Sequence, residues 1–411
     1  MINVTEIMKR GAENRKLPPW VNMRHAWMVN DGLRDKDLEY PENVVQIKNL
    51  DYKKRLDAEQ FAAILDSWKM DKKREMMYAS SGDASDIDSD SYVSNSLFDL
   101  CVPASYMGDS DKAYPVIVSV HGGGWFYGDK KLYSHYCCHL AQSGFVVVNF
   151  NYRLAPQNKY PSAIEDVAHL VKYIDDHARV FGLDMNRFFM LGDSAGAQLT
   201  AQYCITATNQ EYREKLDYFT YDKRPAKICL NCGAYDMGKR DDTILDWYLR
   251  KENSLVVSKE QYQLFMEQLA YMNVDFPETY LMYSENDDLR FHTIELDKKM
   301  NDIGVAHVTR AFGAGHPESG HVFHLNLRNS DGVQCNEEEC SFFKNKYPKC
   351  QLIMTSHNTN LMTNKIMRPD CLFILSSKGT LTALCDATER ELREGRNLEK
   401  MYISGEFEKY E

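Results

Sequence analysis

A serine inside a Gly-Asp-Ser-Ala-Gly sequence, between an apolar run and a helix-like stretch, constrains the fold more than any other feature of the chain. Residues 188–191 have the composition of a buried strand, and residues 198–202 have that of a helix. Small residues at Gly192 and Gly196 permit a tight strand-to-helix turn that presents the Ser194 hydroxyl to a cleft. The sequence therefore predicts an α/β sheet with Ser194 at the carboxyl end of a strand.

Apolar, β-rich runs continue to alternate with longer helical stretches from residue 92 onward. The runs occupy residues 116–120, 145–150, 188–191, 227–230, 280–283 and 305–312. Helix-like stretches, such as residues 161–181 and 292–303, separate them. This alternation predicts an α/β fold with a mostly parallel sheet flanked by helices.

Composition narrows the class of protein. The chain has 411 residues, and its 49 Lys and Arg against 60 Asp and Glu give a net charge of −11, which repels nucleic acid. Apolar runs are far shorter than the roughly 20 residues of a membrane span, and the charged residues 1–16 contain no apolar signal segment. We expect a globular, cytoplasmic protein with neither a nucleic acid nor a membrane as partner.

Two patterns imitate metal sites. Cys229 and Cys232 form a Cys-x-x-Cys pair at the end of an apolar run, but a zinc site would need a second pair. The acidic residues 86–97 begin like a calcium-binding loop, yet they lack the Gly at position six and the Glu at position twelve. Eleven scattered cysteines are typical of free thiols in a reducing compartment. We expect no metal.

A His-Gly-Gly-Gly-Trp sequence at residues 121–125 directly follows the apolar run 116–120. Glycines let the backbone approach a reacting group without side chains in the way. The backbone N–H groups expected to stabilise an oxyanion belong to Gly122, Gly123, Gly124 and Ala195. His121 is expected to be a structural hydrogen-bonding residue of this loop.

Four motifs in order resemble one known family. His-Gly-Gly-Gly-Trp at 121–125, Asn-Tyr-Arg-Leu-Ala-Pro at 151–156, Tyr-Pro at 160–161 and Gly-Asp-Ser-Ala-Gly at 192–196 look like the hormone-sensitive-lipase-like α/β-hydrolases, particularly bacterial esterases. The resemblance covers residues 90–346 and implies an α/β-hydrolase fold with a helical cap. It also implies carboxylester hydrolysis through a Ser-His-Asp triad and an acyl-enzyme, with no metal or organic cofactor.

The acid of such a triad follows the serine along the chain. Residues 280–290 resemble the family's acid segment, a strand followed by a loop, and they assign the acid to Asp287. Glu285 and Asp288 lie beside it and remain competitors. We interpret Glu285 as a loop carboxylate and Asp288 as an exposed residue at a helix start.

Three histidines within nine residues compete for the role of base. His321, followed by Val322 and Phe323, resembles the family's His-x-Phe pattern and is the predicted base. His316 and His324 remain alternatives, because an insertion at residues 317–320 departs from the family pattern.

The resemblance also divides the chain. Residues 1–90 would supply N-terminal helices forming part of the cap, and an insertion at about 236–275 would supply the rest. Residues 91–346 would form the catalytic domain. Residues 347–411 are left over as an appended α/β segment.

This tail resembles the end of an ABC-like AAA ATPase, with His357 in a Thr-Ser-His run. No phosphate loop precedes it in the same domain. The closest match, residues 233–239, has Arg240 where a magnesium-binding Ser or Thr would stand. The tail is therefore predicted to be without nucleotide activity.

The sequence thus predicts a serine carboxylesterase whose partner is a small-molecule ester. Short acyl groups are expected, with acetyl groups on carbohydrate or aryl alcohols as candidates. An amidase or deacetylase on the same triad and a non-catalytic binding protein of the same fold remain alternatives. A homodimer is left open.

Overall fold

A sheet of eight strands forms the centre of the first of two compact units, Met1–Lys346 and Tyr347–Glu411. The computed structural model describes residues 18–70, 96–108, 113–235, 243–251, 254–344, 373–375 and 381–383. The strands of the first unit are β1 (Val44–Asp51), β2 (Leu97–Pro103), β3 (Tyr114–Val120), β4 (Val146–Phe150), β5 (Leu183–Asp193), β6 (Lys227–Asn231), β7 (Arg250–Lys251), β8 (Ser254–Leu255), β9 (Glu278–Ser284) and β10 (His307–Phe312). The sheet has the order β1-β2-β4-β3-β5-β6-β9-β10.

Pairing within the sheet changes from antiparallel to parallel. Strands β1, β2 and β4 pair antiparallel, whereas every neighbouring pair from β4 to β10 is parallel. The helices are α1 (Pro19–Asp35), α2 (Ala58–Met70), α3 (Ser134–Ala141), α4 (Ser162–Asp176), α5 (Ala195–Thr208), α6 (Gln210–Lys215), α7 (Thr243–Leu249), α8 (Lys259–Met266), α9 (Arg290–Ile303) and α10 (Ser330–Lys344). Short 3-10 turns occupy Ala104–Gly108, Gln268–Tyr271 and Phe323–Leu325.

Both faces of the sheet are buried, because successive side chains of a strand point to opposite sides. In β3, Val116 and Val118 belong to one apolar cluster and Ile117 to the other. Helices α4, α5 and α9 contribute to the first cluster, and α3 and α10 to the second. This three-layer arrangement explains why the central strands are continuous apolar runs. The predicted mostly parallel α/β sheet is confirmed.

The N-terminal segment corrects one expectation. Residues 1–90 were expected to contribute helices to the cap, but β1 is an edge strand of the main sheet, with Val45 opposite Val102. Strand β2, which pairs with β1, was also not predicted. The expected boundary at residue 90 therefore separates two paired strands. The sequence of β1 has neither a long apolar run nor a strict alternation of apolar and polar residues, which explains why it was missed.

The expected cap insertion is helical in α7 and α8, but it also contains the two-stranded hairpin β7–β8. The second unit is described only at β11 (Phe373–Leu375) and β12 (Leu381–Ala383), an antiparallel pair. The acidic residues 86–95, Arg240 and His357 lie outside the described residues. Within the described part of the chain, no helix combines the length and the hydropathy needed to cross a membrane.

A buried ion pair joins the edge of the sheet to the loop after β3. Lys130 Nζ lies 2.7 Å from Asp99 Oδ1, and both side chains are under 10% exposed. The Asn49 N–H donates to the same Asp99 oxygen, and Lys130 Nζ donates to Asn49 Oδ1. A charge buried in this way needs its partner, because an unpaired buried ion is strongly destabilising.

Two further carboxyl groups are buried near the carboxyl ends of β5 and β6. Asp193 accepts a hydrogen bond from the Tyr133 hydroxyl at 2.8 Å, and Glu339 accepts from Tyr136 and from the Asn231 side chain. Burial raises the pKa of each group to about 7, despite these hydrogen bonds. The folded state therefore favours their protonated forms.

Replacing Asp99 by Asn should lower the free energy of unfolding by about 3 kcal/mol, because Lys130 is left buried without a counter-charge. Asp176→Asn is the matched control, since Asp176 pairs with Lys172 on the exposed surface of α4 and should contribute under about 0.5 kcal/mol. Urea unfolding monitored by circular dichroism measures both. Equal losses in the two variants would contradict a special role for the buried pair.

The buried carboxyl groups predict a pH dependence of stability. From about pH 4, where the unfolded groups lose their protons, to about pH 7, the folded state alone retains them. The free energy of unfolding should therefore fall as the pH rises through this range and then level off. The double variant Asp193→Asn with Glu339→Gln mimics the protonated forms and should reduce that fall by about 3 kcal/mol or more. Urea titrations at pH 5 and pH 8 test this, and an unchanged fall would refute it.

Candidate active site

Ser194 lies at the turn between β5 and α5. Its backbone has φ 52° and ψ −117°, a conformation that costs on the order of 1–3 kcal/mol for a residue with a side chain. Two contacts hold it there. The Ser194 N–H donates to the Asn231 carbonyl at 2.9 Å, and Gly196 packs so closely on β3 that a Cβ atom would overlap the Val120 carbonyl oxygen. The predicted tight turn is thus formed by contacts with both neighbouring strands.

A chain of two hydrogen bonds connects Ser194 to a histidine and a carboxylate. His321 Nε2 lies 2.9 Å from Ser194 Oγ, and His321 Nδ1 lies 2.7 Å from Asp287 Oδ2. A carboxylate only accepts, so Nδ1 carries the proton and Nε2 is left to accept from the serine hydroxyl. The three residues lie after β5, in the loop after β9 and in the loop after β10, close together although far apart in sequence.

The Asp287 carboxylate is buried and accepts two hydrogen bonds. Its side chain is 2% exposed, and the Leu289 N–H donates to Oδ1 at 2.8 Å. Burial opposes its ionisation, but the hydrogen bond and charge of His321 and the Leu289 N–H keep the pKa below the usual value. Asp287 is therefore a charged partner for the imidazole. Its neighbours Glu285 and Asp288 are exposed instead.

The two alternative histidines are placed elsewhere. His316 is only partly exposed, and its Nδ1 lies 3.6 Å from both Glu318 and Asp331. His324 is fully buried against the Tyr136 ring, and burial lowers its pKa to about 3. Of the three candidates, the structure brings His321 to Ser194.

In the glycine loop after β3, one of the expected oxyanion donors differs from the others. The Gly122 N–H donates to the Tyr133 hydroxyl at 2.9 Å, and that hydroxyl donates in turn to Asp193. Gly122 is thus already paired within the protein, and its expected role as an oxyanion donor stays a prediction. Among the described residues, no acceptor is recorded for the N–H groups of Gly123, Gly124 and Ala195.

His121 has the structural place expected for it. Its ring is fully buried and stacks on Tyr152 with centroids 4.0 Å apart, and Nδ1 lies 2.7 Å from the Gly122 carbonyl. Burial lowers its pKa to about 4, so the ring is neutral at pH 7. The ring therefore packs against the glycine loop and contacts its Gly122 carbonyl.

Sequence reasoning treated Cys232 only as half of a Cys-x-x-Cys pair. In the structure its thiol and the ligand-capable atoms of Asp287 and His321 lie within 4.8 Å of one another. The thiol also lies 3.6 Å from Met282 Sδ, and burial raises its pKa. Cys232 is therefore a neutral side chain that packs behind the carboxylate. No sequence motif indicated this contact.

Ser194 and His321 open onto a cavity of about 460 Å³. One wall is the glycine loop, and apolar side chains form another, including those of Leu132, Ile244, Leu289 and Leu325. A third wall comes from helix α1, through Trp27, Asn30, Asp31 and Arg34. The cavity is large enough for a small organic molecule and combines apolar walls with a few polar groups, as ligand sites commonly do.

Comparison with known proteins finds a matching family model and several curated relatives. The family model described as BD-FAE matches residues 98–290. Esterase LipI of Mycobacterium tuberculosis is 39% identical over 88 residues, 21% of this chain and 28% of that protein. The probable carboxylic ester hydrolase LipM of the same organism is 26% identical over 181 residues, 43% of this chain and 42% of that one. The chain thus spans less than half the length of either relative.

Solved structures match over a greater length. Esterase B from Lactobacillus rhamnosis, in a tributyrin phosphonate complex, superposes with a TM-score of 0.62 at 21% identity, covering 79% of this chain and 93% of that chain. A bacterial heroin esterase superposes with a TM-score of 0.54 at 20% identity, covering 81% and 95%. The chain therefore has the α/β-hydrolase fold of these esterases.

Proposed function

We propose that the protein is a serine carboxylesterase that hydrolyses small esters through an acyl-enzyme. The observation that carries the proposal is the hydrogen-bonded chain from Ser194 Oγ through His321 to Asp287, open to a cavity. A nucleophile, a base and a residue that orients the base are the parts that acyl transfer requires.

In the proposed first step, Ser194 Oγ attacks the ester carbonyl carbon while His321 Nε2 accepts the hydroxyl proton. His321 then donates that proton to the departing alkoxide, so that the alcohol leaves and the acyl group stays on Ser194. Water repeats the sequence in the second step and releases the acid. Asp287 keeps the proton on Nδ1 and stabilises the imidazolium that forms in each step.

The tetrahedral intermediate carries a negative oxygen that needs donors. The N–H groups of Gly123, Gly124 and Ala195 are proposed to supply them, since none has another recorded acceptor among the described residues. Ala195 is the first residue of α5, where the helix dipole adds to the stabilisation. Losing one such donor typically costs about 2.7–4 kcal/mol of barrier.

The name of one relative points to an ester with a short acyl group. Among proteins similar to this chain are a carboxylesterase, NlhH, and an acetate esterase, the versiconal hemiacetal acetate esterase of Dothistroma septosporum. A cavity of about 460 Å³ bounded by side chains suits a small ester better than a long acyl chain. Acetyl to butyryl esters are accordingly the proposed substrates.

A short-chain nitrophenyl ester tests the proposal. The wild-type protein should release a burst of nitrophenol equal to the enzyme concentration, and Ser194→Ala should release none. His321→Ala should lower kcat by roughly ten-thousandfold or more, because the base is lost. His316→Ala is the matched control, and its kcat should stay within about twofold, since His316 lies away from Ser194. Absence of turnover in the wild type would refute the esterase proposal, and an equal loss in His316→Ala would refute the assignment of the base.

For residues 347–411 we propose an appended segment without a nucleotide function. The sequence before them supplies no complete phosphate loop, since residues 233–239, which come after β6 in the sequence, are followed by Arg240 in place of a Ser or Thr. ATP should therefore show no saturable binding to the full chain by isothermal titration calorimetry. Binding that His357→Ala abolishes would overturn this proposal.

A further inference from the structure

Helix α1 presents four side chains to the cavity that holds Ser194. Trp27, Asn30, Asp31 and Arg34 are spaced three, four and seven residues apart, which places them on one face of the helix. The other walls of the cavity are glycine backbone and mainly apolar side chains. This α1 face is thus the polar wall of the site, and the triad chemistry does not use it.

Hydrogen bonds fix most of the α1 face. Arg34 donates to both carboxylate oxygens of Asp35 at 2.6 Å and to Asp31 Oδ1 at 3.0 Å. Asp31 Oδ2 accepts from the Tyr127 hydroxyl at 2.7 Å. The Tyr127 N–H donates to the Gly123 carbonyl, so the wall is joined to the proposed oxyanion loop. Its groups are therefore positioned before any ligand arrives.

Asn30 differs from its neighbours on the same wall. No hydrogen-bond partner is recorded for its side-chain amide among the residues described, although the residue is only partly exposed and borders the cavity. An amide offers both a donor and an acceptor. Asn30 is thus a free polar group aimed at whatever occupies the cavity, beside the accepting oxygens of Asp31.

The charge of the wall selects against anions. Arg34 is the single Lys or Arg among the described residues that line the cavity, and its guanidinium is already paired with two carboxylates. Asp31 and Asp35 therefore outnumber it. A carboxylate on a substrate would meet like charge with no free cation to pair with, whereas neutral hydroxyl groups could donate to Asn30 and Asp31.

We propose that the α1 face is the subsite for the alcohol portion of the ester, and that it selects uncharged alcohols carrying several hydroxyl groups and rejects anionic ones. The proposal rests on the proposed esterase function. Trp27 would cover the apolar side of such an alcohol, while Asn30 and Asp31 would bind its hydroxyl groups.

Two matched substrate pairs test the subsite. The first is 2,3-dihydroxypropyl acetate against 2-methylbutyl acetate, which has the same shape without the hydroxyl groups. The second is 3-acetoxypropanamide against 3-acetoxypropanoate, which differs in charge. The wild type should have the higher kcat/KM for the hydroxylated ester and for the amide.

Variants assign these preferences to residues. Asn30→Leu keeps the shape and removes both polar atoms, so the hydroxylated-to-alkyl ratio of kcat/KM should fall about three- to tenfold. Asp31→Asn should lower the amide-to-carboxylate ratio by roughly threefold or more, because the nearest negative charge is gone. Val29→Ala is the control on the outward face of α1, where Val29 is 41% exposed, and should change neither ratio.

A binding measurement separates failure of the subsite from failure of the esterase function. In Ser194→Ala, isothermal titration calorimetry should show tighter binding of 2,3-dihydroxypropyl acetate than of 2-methylbutyl acetate, and Asn30→Leu should abolish the difference. Equal Kd values would overturn the subsite, whatever the protein hydrolyses. A retained binding preference in a protein without turnover would overturn the esterase proposal alone.

Discussion

The hydrogen bond from the Ser194 N–H to the Asn231 carbonyl holds the turn on which the rest of the site depends. Ser194 has a backbone conformation that is costly for any residue with a side chain, so it persists only because its surroundings enforce it. Strand β6 supplies the carbonyl on one side. Strand β3, on the other side, leaves room only for a glycine at position 196. Contacts with two neighbouring strands thus hold Ser194 in its strained backbone conformation.

The same strand ends position the other parts of the site. Cys232, directly after Asn231, packs behind Asp287, and its N–H donates to the Met282 carbonyl of β9. The loop after β9 then carries Asp287 to the imidazole of His321. Because parallel strands end at one edge, residues far apart in sequence meet there without long connecting segments. The triad is a consequence of the sheet order as much as of its residues.

The three glycines of the loop after β3 differ in the hydrogen bonding of their N–H groups. They resemble one another in sequence, but the Gly122 N–H is paired with Tyr133, which belongs to a network with the buried Asp193. This pairing fixes the loop and leaves Gly123 and Gly124 for a ligand. Burial of Asp193 raises its pKa to about 7. The same network that fixes the loop therefore lowers the free energy of unfolding as the pH rises toward 7.

The sequence by itself determined the central sheet, the turn at Ser194 and the order of serine, acid and histidine, because these depend on local patterns: apolar runs, small residues and motif spacing. It did not determine β1, whose mixed pattern becomes a strand only by pairing with β2. Only the tertiary structure shows that His321 lies beside Ser194 and that His324 is in the core. The three histidines lie within nine residues of one another, and their distance from Ser194 depends on how the whole loop folds against the sheet. The tertiary structure alone placed Asn30 and Asp31 on the cavity wall, because that contact joins a helix to a site about 160 residues away.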